Sequence, residues 1–245
     1  MLDIWGVASK PRPMSDSPDI PTTSPTWGPM RSFGRIKSRT LKPRQANLFD
    51  TLLPGIVADE ARVAALLASD RELWLEIGFG GGEHLAQQAA RHPEVDIIGC
   101  EPFLNGVGSL LRHIEEGGLS NVSVLSEDAR PLLDRLPDAC LSRVFLLFPD
   151  PWPKARHHKR RFIQPETVAA FARVLKPGGR WRFATDWADY ADWGLQHARA
   201  NPDFIWPAQS PADWTRPPAD HITTRYETKG LGDCKPVFLD FIRTS

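Results

Sequence analysis

Leu75-Glu76-Ile77-Gly78-Phe79-Gly80-Gly81-Gly82-Glu83 joins a short apolar segment to an amphipathic one through a run of glycines. Glycines directly after a first strand let the backbone approach a ligand and deliver it to the start of a helix. The dinucleotide fingerprint G-x-G-x-x-G would begin at Gly78 and Gly80, but its third glycine falls on Glu83. What stands there is acid-x-G-x-G-x-G, with Glu76 inside the strand. A carboxylate in that place repels a pyrophosphate and suits a cation.

Outward from this stretch the chain alternates strands and helices. Strands are expected over 72–77, 95–100, 122–126, 143–148, 180–184 and 237–243. Helical spacing is expected over 83–91, 104–116, 129–135, 165–175 and 187–200. A leading helical stretch covers 45–68, interrupted at Pro54-Gly55. Lys176-Pro177-Gly178-Gly179 reads as a helix stop. This order predicts an α/β, Rossmann-like, doubly wound and mostly parallel seven-stranded sheet with helices on both faces. Its ligand belongs beyond the carboxyl ends of the strands.

Composition sets the outer limits. The chain has 245 residues, 41% hydrophobic and 24% charged, which fits a folded globular domain and excludes collagenous or wholly disordered classes. No apolar run approaches a bilayer span, so no membrane partner is expected. The start Met-Leu-Asp-Ile-Trp lacks a basic and an apolar signal region, so a cytoplasmic location is expected. Cys100, Cys140 and Cys234 are odd in number and widely spaced, which points to reduced thiols and implies no metal. Residues 1–30 are Pro/Ser/Thr-rich and read as a disordered arm, 31–70 as a basic segment with its leading helix, and 71–245 as the main domain.

Net charge is zero, but 11 of the 30 Lys and Arg lie in two short segments without an acid, Arg31–Gln45 and Lys154–Arg161. Two basic patches on an otherwise acidic body suggest a local polyanion site, with solvated surface runs as the plain alternative.

The expected strand ends carry the chemistry. Glu101 closes the second strand, where an acid accepts from both ribose hydroxyls of a nucleoside. Asp128 closes the third and can accept from an adenine amino group. Three acids around one glycine loop suit an adenosine that carries a cation, as in S-adenosylmethionine. After the fourth strand comes Phe148-Pro149-Asp150-Pro151-Trp152-Pro153-Lys154-Ala155-Arg156-His157-His158-Lys159-Arg160-Arg161. Two prolines restrict Asp150, Trp152 offers a face to stack on a base, and the cations can grip phosphates. Asp186-Trp187 closes the fifth strand, where Asp186 competes with a helix N-cap reading.

These residues together resemble the bacterial tRNA (guanine-N7-)-methyltransferase family, from about Ser32 to the C-terminus. The resemblance rests on Leu75–Gly80, Phe148–Arg161, Ala184–Trp187 and Thr224-Arg225-Tyr226-Glu227 with Gly230. Pro153 and Arg225-Tyr226 are mild departures, standing where histidine and Lys-Phe are frequent. The resemblance implies methyl transfer from S-adenosylmethionine to N7 of a variable-loop guanine (position 46) of tRNA, with no obligatory protein partner. It implies cofactor contacts at Glu76, Gly78, Gly80, Glu101, Asp128 and Asp150, with Asp150 catalytic. It implies tRNA contacts at Lys154, Arg156, Asp186, Thr224, Arg225, Tyr226 and Glu227. Guanine N7 has an in-plane lone pair and no proton, so no general base is needed, and Asp150 either orients the base or offsets its developing cation. The rival readings are an RNA-binding subunit with a vestigial pocket, and a methyltransferase acting on another base or on a small molecule. A nicotinamide oxidoreductase is disfavoured by Glu76 and Glu83.

Overall fold

A computed structural model describes residues 40–244. The arm 1–30 and the cations Arg31, Arg35, Lys37 and Arg39 lie outside the described residues. Seven strands form one sheet: β1 (Leu73–Ile77), β2 (Asp96–Cys100), β3 (Val122–Leu125), β4 (Leu141–Leu147), β5 (Leu175–Thr185), β6 (Phe204–Ile205) and β7 (Val237–Arg243). Their order is β3-β2-β1-β4-β5-β7-β6, parallel from β3 to β5, with β7 antiparallel to both β5 and β6. Strand order reverses between β1 and β4. A crevice opens there at the carboxyl ends, as the doubly wound topology requires.

The helices are α1 (Pro43–Thr51), α2 (Leu53–Ile56), α3 (Glu60–Leu67), α4 (Glu83–Arg91), α5 (Leu104–Gly117), α6 (Arg130–Arg135), α7 (Pro165–Val174), α8 (Ala188–Ala200) and α9 (Ala212–Thr215). The period-2 alternation of β1 sorts its side chains between two cores. Leu73, Leu75 and Ile77 pack with Phe171, Trp181 and Tyr190 from the side of α7 and α8. Trp74 packs with Leu85, Val107, Leu110 and Phe145 on the side of α4 and α5. Glu76 shares the Trp74 face, and for that reason its carboxylate meets α4.

Two sequence expectations are corrected. The helical stretch 45–68 is three helices, broken at Leu52 and Val57 rather than at Pro54-Gly55, which lie inside α2. Val57 is extended because it bridges Val124, and the Ala58 N–H donates to the Val124 carbonyl at 2.9 Å, covering the β3 edge. Lys176–Gly179 does not separate helix from strand; it lies within β5. Leu175 already pairs with Leu141, and a register shift before Arg143, with Gly178 at φ +78°, absorbs the extra residues as a bulge. The two-residue β6 is too short for periodicity to reveal.

Candidate functional site

The turn after β4 is held under strain. Phe148 (φ +50°) and Trp152 (φ +44°) occupy the left-handed region on either side of Pro149-Asp150-Pro151. Bulky residues adopt it at about 1–3 kcal/mol each, and only where the surroundings over-determine it. At one end the Phe148 N–H donates to the Ala184 carbonyl at 2.7 Å. At the other, Arg161 Nε donates to the Pro151 carbonyl at 2.9 Å. The Arg161 guanidinium lies 4.9 Å from the ring centroid of Tyr190 and 5.1 Å from that of Trp193, and it pairs with Asp189. Asp150 therefore stands at the mouth of a cavity of about 600 Å³, lined also by Gly78, Gly80, Glu101, Asp128 and Phe162. Partial desolvation raises its carboxyl from the ordinary value.

Two of the other acids that line this cavity, Glu101 and Asp128, are already partly engaged. Glu101 accepts the Gly80 N–H on Oε2 at 2.8 Å and the Phe103 N–H on Oε1 at 2.9 Å. Burial raises its carboxyl, the two amides oppose that rise, and Asp150 adds to it. Each oxygen keeps a lone pair, and their plane is fixed by backbone. Asp128 is gripped by Arg130 through the backbone N–H and Nε on Oδ1 and through Nη2 on Oδ2, at 2.9, 2.9 and 2.6 Å. Any amino group approaching Asp128 would share it with that guanidinium.

A second cavity of about 770 Å³ adjoins the first across Gly78, Gly80, Phe103, Phe148 and Tyr226. Gly80 has φ +56°, and a Cβ at Gly106 on α5 would come within 2.2 Å of the Gly80 carbonyl oxygen, so the loop and the helix meet backbone to backbone. Glu76 lines this cavity, as do Glu83, Thr224, Arg225 and Tyr226. The Glu76 carboxylate is buried against His84, with Nδ1 to Oε2 at 2.7 Å. The Tyr226 hydroxyl donates to Asp186 Oδ1 at 3.3 Å, and its ring leans on Phe148 at 5.5 Å.

Of the residues expected at the site, Glu76, Gly78, Gly80, Glu101, Asp128, Asp150, Thr224, Arg225 and Tyr226 line the two cavities. Asp186 and Glu227 do not. Asp186 is buried behind Tyr226, and its N-cap alternative is corrected: the Ala188 N–H donates to Asp233 instead, at 2.8 Å. Glu227 turns inward, accepting from the Thr224 N–H at 2.8 Å and hydroxyl at 3.0 Å, with His221 Nε2 at 2.9 Å. It shapes the loop that presents Thr224 and Arg225. Lys154 and Arg156 are exposed on the 3-10 turn Ala155–Arg160 and its N-cap, on the rim outside both cavities. Trp152 lines the first cavity under the Arg160 guanidinium at 5.0 Å.

One member of the basic run is corrected outright. Arg161 is 2% exposed and is a clamp on the turn, not a surface cation. Sequence reading also missed His84, Arg130 and His221, because their partners lie on other elements or turn back on the same loop. The doublet Glu83-His84 at a helix start was the only visible trace of His84.

The methyltransferase family model Methyltransf_4 matches residues 70–239. A tRNA (guanine-N(7)-)-methyltransferase of Caulobacter vibrioides is 60% identical over 218 residues, 88% of this chain and 96% of the relative. One of Hyphomonas neptunium is 52% identical over 86% of this chain and 99% of the relative. Among solved structures, the 16S rRNA methyltransferase KamB superposes with a TM-score of 0.51 at 15% identity, over 76% of this chain and 94% of that one. An antibiotic-related methyltransferase gives 0.52 at 14% identity over the same shares. These two likenesses bear on the fold alone.

Proposed function

The chain belongs to the tRNA (guanine-N7-)-methyltransferase family, and from that premise we propose how its residues divide the work of methylating N7 of the variable-loop guanine at position 46. The cofactor is S-adenosylmethionine, which supplies an electrophilic methyl group on a sulfonium. The residues present fit it. A Cβ at Gly78 or Gly80 would meet no protein atom within 4 Å, which leaves open space in the cradle for a ligand. The buried, amide-oriented Glu101 keeps lone pairs for two ribose hydroxyls. Asp128 sits beyond it for the base. Glu76 supplies a buried negative charge across the glycine loop for the cationic amino-acid end.

The observation that carries this division is the shared wall. Gly78, Gly80, Phe148 and Tyr226 line both cavities, so a nucleoside held in the first and a base entering the second would meet there. Phe148 and Tyr226 offer rings to the base, and Thr224 and Arg225 flank it. N7 needs no proton removed before attack, so the protein's task is to hold geometry and to answer charge. Asp150 lines the first cavity next to the shared Phe148, on a turn fixed at both ends, and from that side of the wall it orients the guanine or offsets its forming positive charge. Lys154 and Arg156 contact tRNA phosphates on the rim, giving salt-dependent affinity without base selection. Residues 71–245 carry this chemistry, with 31–70 as a basic leader.

Among the described residues no helix is long and apolar enough to cross a membrane. A tRNA substrate and free thiols at all three cysteines support a cytoplasmic place of action. The test is to incubate purified protein with unmodified tRNA and labelled cofactor and to map the methylated nucleotide. Label at N7 of guanine 46 is expected. Label on another base would overturn the target. Tight binding of cofactor and tRNA without transfer would favour the binding-subunit reading.

A further inference from the structure

Along the wall of the second cavity, which His84 lines together with Glu76, runs a buried polar string that the assigned roles leave unexplained. The side chains of His84 and Glu76 are 2% and 3% exposed. The His84 ring is also held edge-on by Phe145, with centroids 4.9 Å apart. Its other nitrogen, Nε2, lies 3.3 Å from Gln88 Nε2, and the same Gln88 nitrogen donates to the Asp220 carbonyl at 2.8 Å. A carboxamide nitrogen only donates, with two hydrogens. One goes to the Asp220 carbonyl and the other to His84 Nε2, which must then be the bare acceptor. The ring proton is thereby assigned to Nδ1, and it points at Glu76 Oε2.

Glu76 gains a fixed donor from this tautomer. That bond, made from a different element, holds the buried carboxylate in one orientation. With Nδ1–H on one oxygen, the other is left for a cation in the cavity that Glu76 lines. The far end of the string is anchored independently. Arg91 Nη1 also donates to the Asp220 carbonyl at 3.0 Å, and Arg182 and Arg143 hold the Asp220 carboxylate at 2.7 and 3.2 Å. The donor set by which His84 acts is therefore braced against β4, β5 and the loop that continues into Thr224–Tyr226.

We propose that His84, held by Gln88 in its Nδ1–H form, is a positioning residue that aims the Glu76 carboxylate at the cationic amino-acid end of S-adenosylmethionine. It acts only through Glu76, and the inference rests on the cofactor role given to Glu76 above.

The experiment measures the dissociation constant of S-adenosylmethionine on the full-length protein carrying His84→Leu, His84→Asn, Glu76→Gln and the double substitution His84→Leu with Glu76→Gln. Both His84 variants lose the Gln88 link, but asparagine keeps an N–H near the place of Nδ1–H. His84→Leu is expected to weaken cofactor binding about tenfold, the effect of losing a hydrogen bond to a charged group. His84→Asn should stay within threefold of wild type. In the Glu76→Gln background, His84→Leu should add nothing, and tRNA affinity should hold in every variant. If His84→Leu does not fold, His84→Gln replaces it, since its amide reaches the Nε2 side and misses Glu76. Equal losses for asparagine and leucine, additive losses in the double variant, or wild-type cofactor affinity in His84→Leu beside an impaired Glu76→Gln would each overturn the inference. A Glu76→Gln protein with wild-type cofactor affinity would overturn the role of Glu76 itself.

Discussion

Arg161 Nε donates to the carbonyl of Pro151 at 2.9 Å from a side chain that is almost wholly buried. The last residue of a run of surface cations thus fixes the turn that carries Asp150. Arg161→Ala removes that bond and the guanidinium between Tyr190 and Trp193. It is expected to lower unfolding free energy by about 2 kcal/mol, the scale for hydrogen bonds to a charged group. Methyl transfer should slow as well, while the salt dependence of tRNA binding stays as in wild type. Chemical denaturation and binding titrations at several salt concentrations check this; unchanged stability with a flattened salt slope would return Arg161 to the phosphate contacts.

Lys154 and Lys159 stand in contrast, since both are exposed. Replacing both with Gln should weaken tRNA binding and reduce the slope of log affinity against log salt by roughly 0.7–0.9 for each phosphate left without its cation. Melting temperature and cofactor affinity should not move. A slope equal to wild type would place the tRNA backbone elsewhere.

Asp150→Asn keeps the side-chain size and the proline frame and removes the charge. Single-turnover methyl transfer should fall by about two to three orders of magnitude, the scale for losing one preorganised electrostatic group. Cofactor and tRNA affinities should stay within a few-fold. The pH profile gives a second reading. Partial desolvation raises the Asp150 carboxyl in the folded protein, so its charge is lost at a higher pH than for a fully solvated aspartate. Activity should therefore decline as pH falls through that raised pKa, and the Asn variant should lack this limb. A fully active Asn variant would reduce Asp150 to a turn residue.

Glu101 holds two backbone amides as well as its proposed ribose contacts. Glu101→Ala should weaken cofactor binding by about 1–3 kcal/mol, because polar partners are left unpaired. Glu101→Gln should lose less only if one amide bond and one ribose contact suffice. Isothermal titration with S-adenosylmethionine measures both; an alanine variant with wild-type affinity would remove Glu101 from the cofactor site.

Features that repeat locally were legible in the chain alone. Alternating strand and helix patterns gave the sheet class, because burial on two faces imposes periods that show in single segments. Helix α4, Glu83–Arg91, and strand β7, Val237–Arg243, fall where their apolar spacing places them. Acids after successive parallel strands had to converge, because those strands share one carboxyl edge. For that reason Glu101, Asp128 and Asp150 come to one cavity, while Glu76, inside β1, lines the cavity beside it. Packing, by contrast, decided which polar atoms remain available to a ligand. Arg161 and Lys159 are both cations in one run, yet packing against Tyr190 and Trp193 buries the first and leaves the second exposed. Glu227 and Arg225 are neighbours in one motif, yet His221 and Thr224 turn the glutamate inward while the arginine faces the cavity. The pairing of His84 with Glu76 follows from the face of β1 on which Glu76 lies and the helix laid over it. Hydrogen bonds between side chains on different elements leave no periodic trace in the chain, since they depend on distances that exist only after the layers have packed.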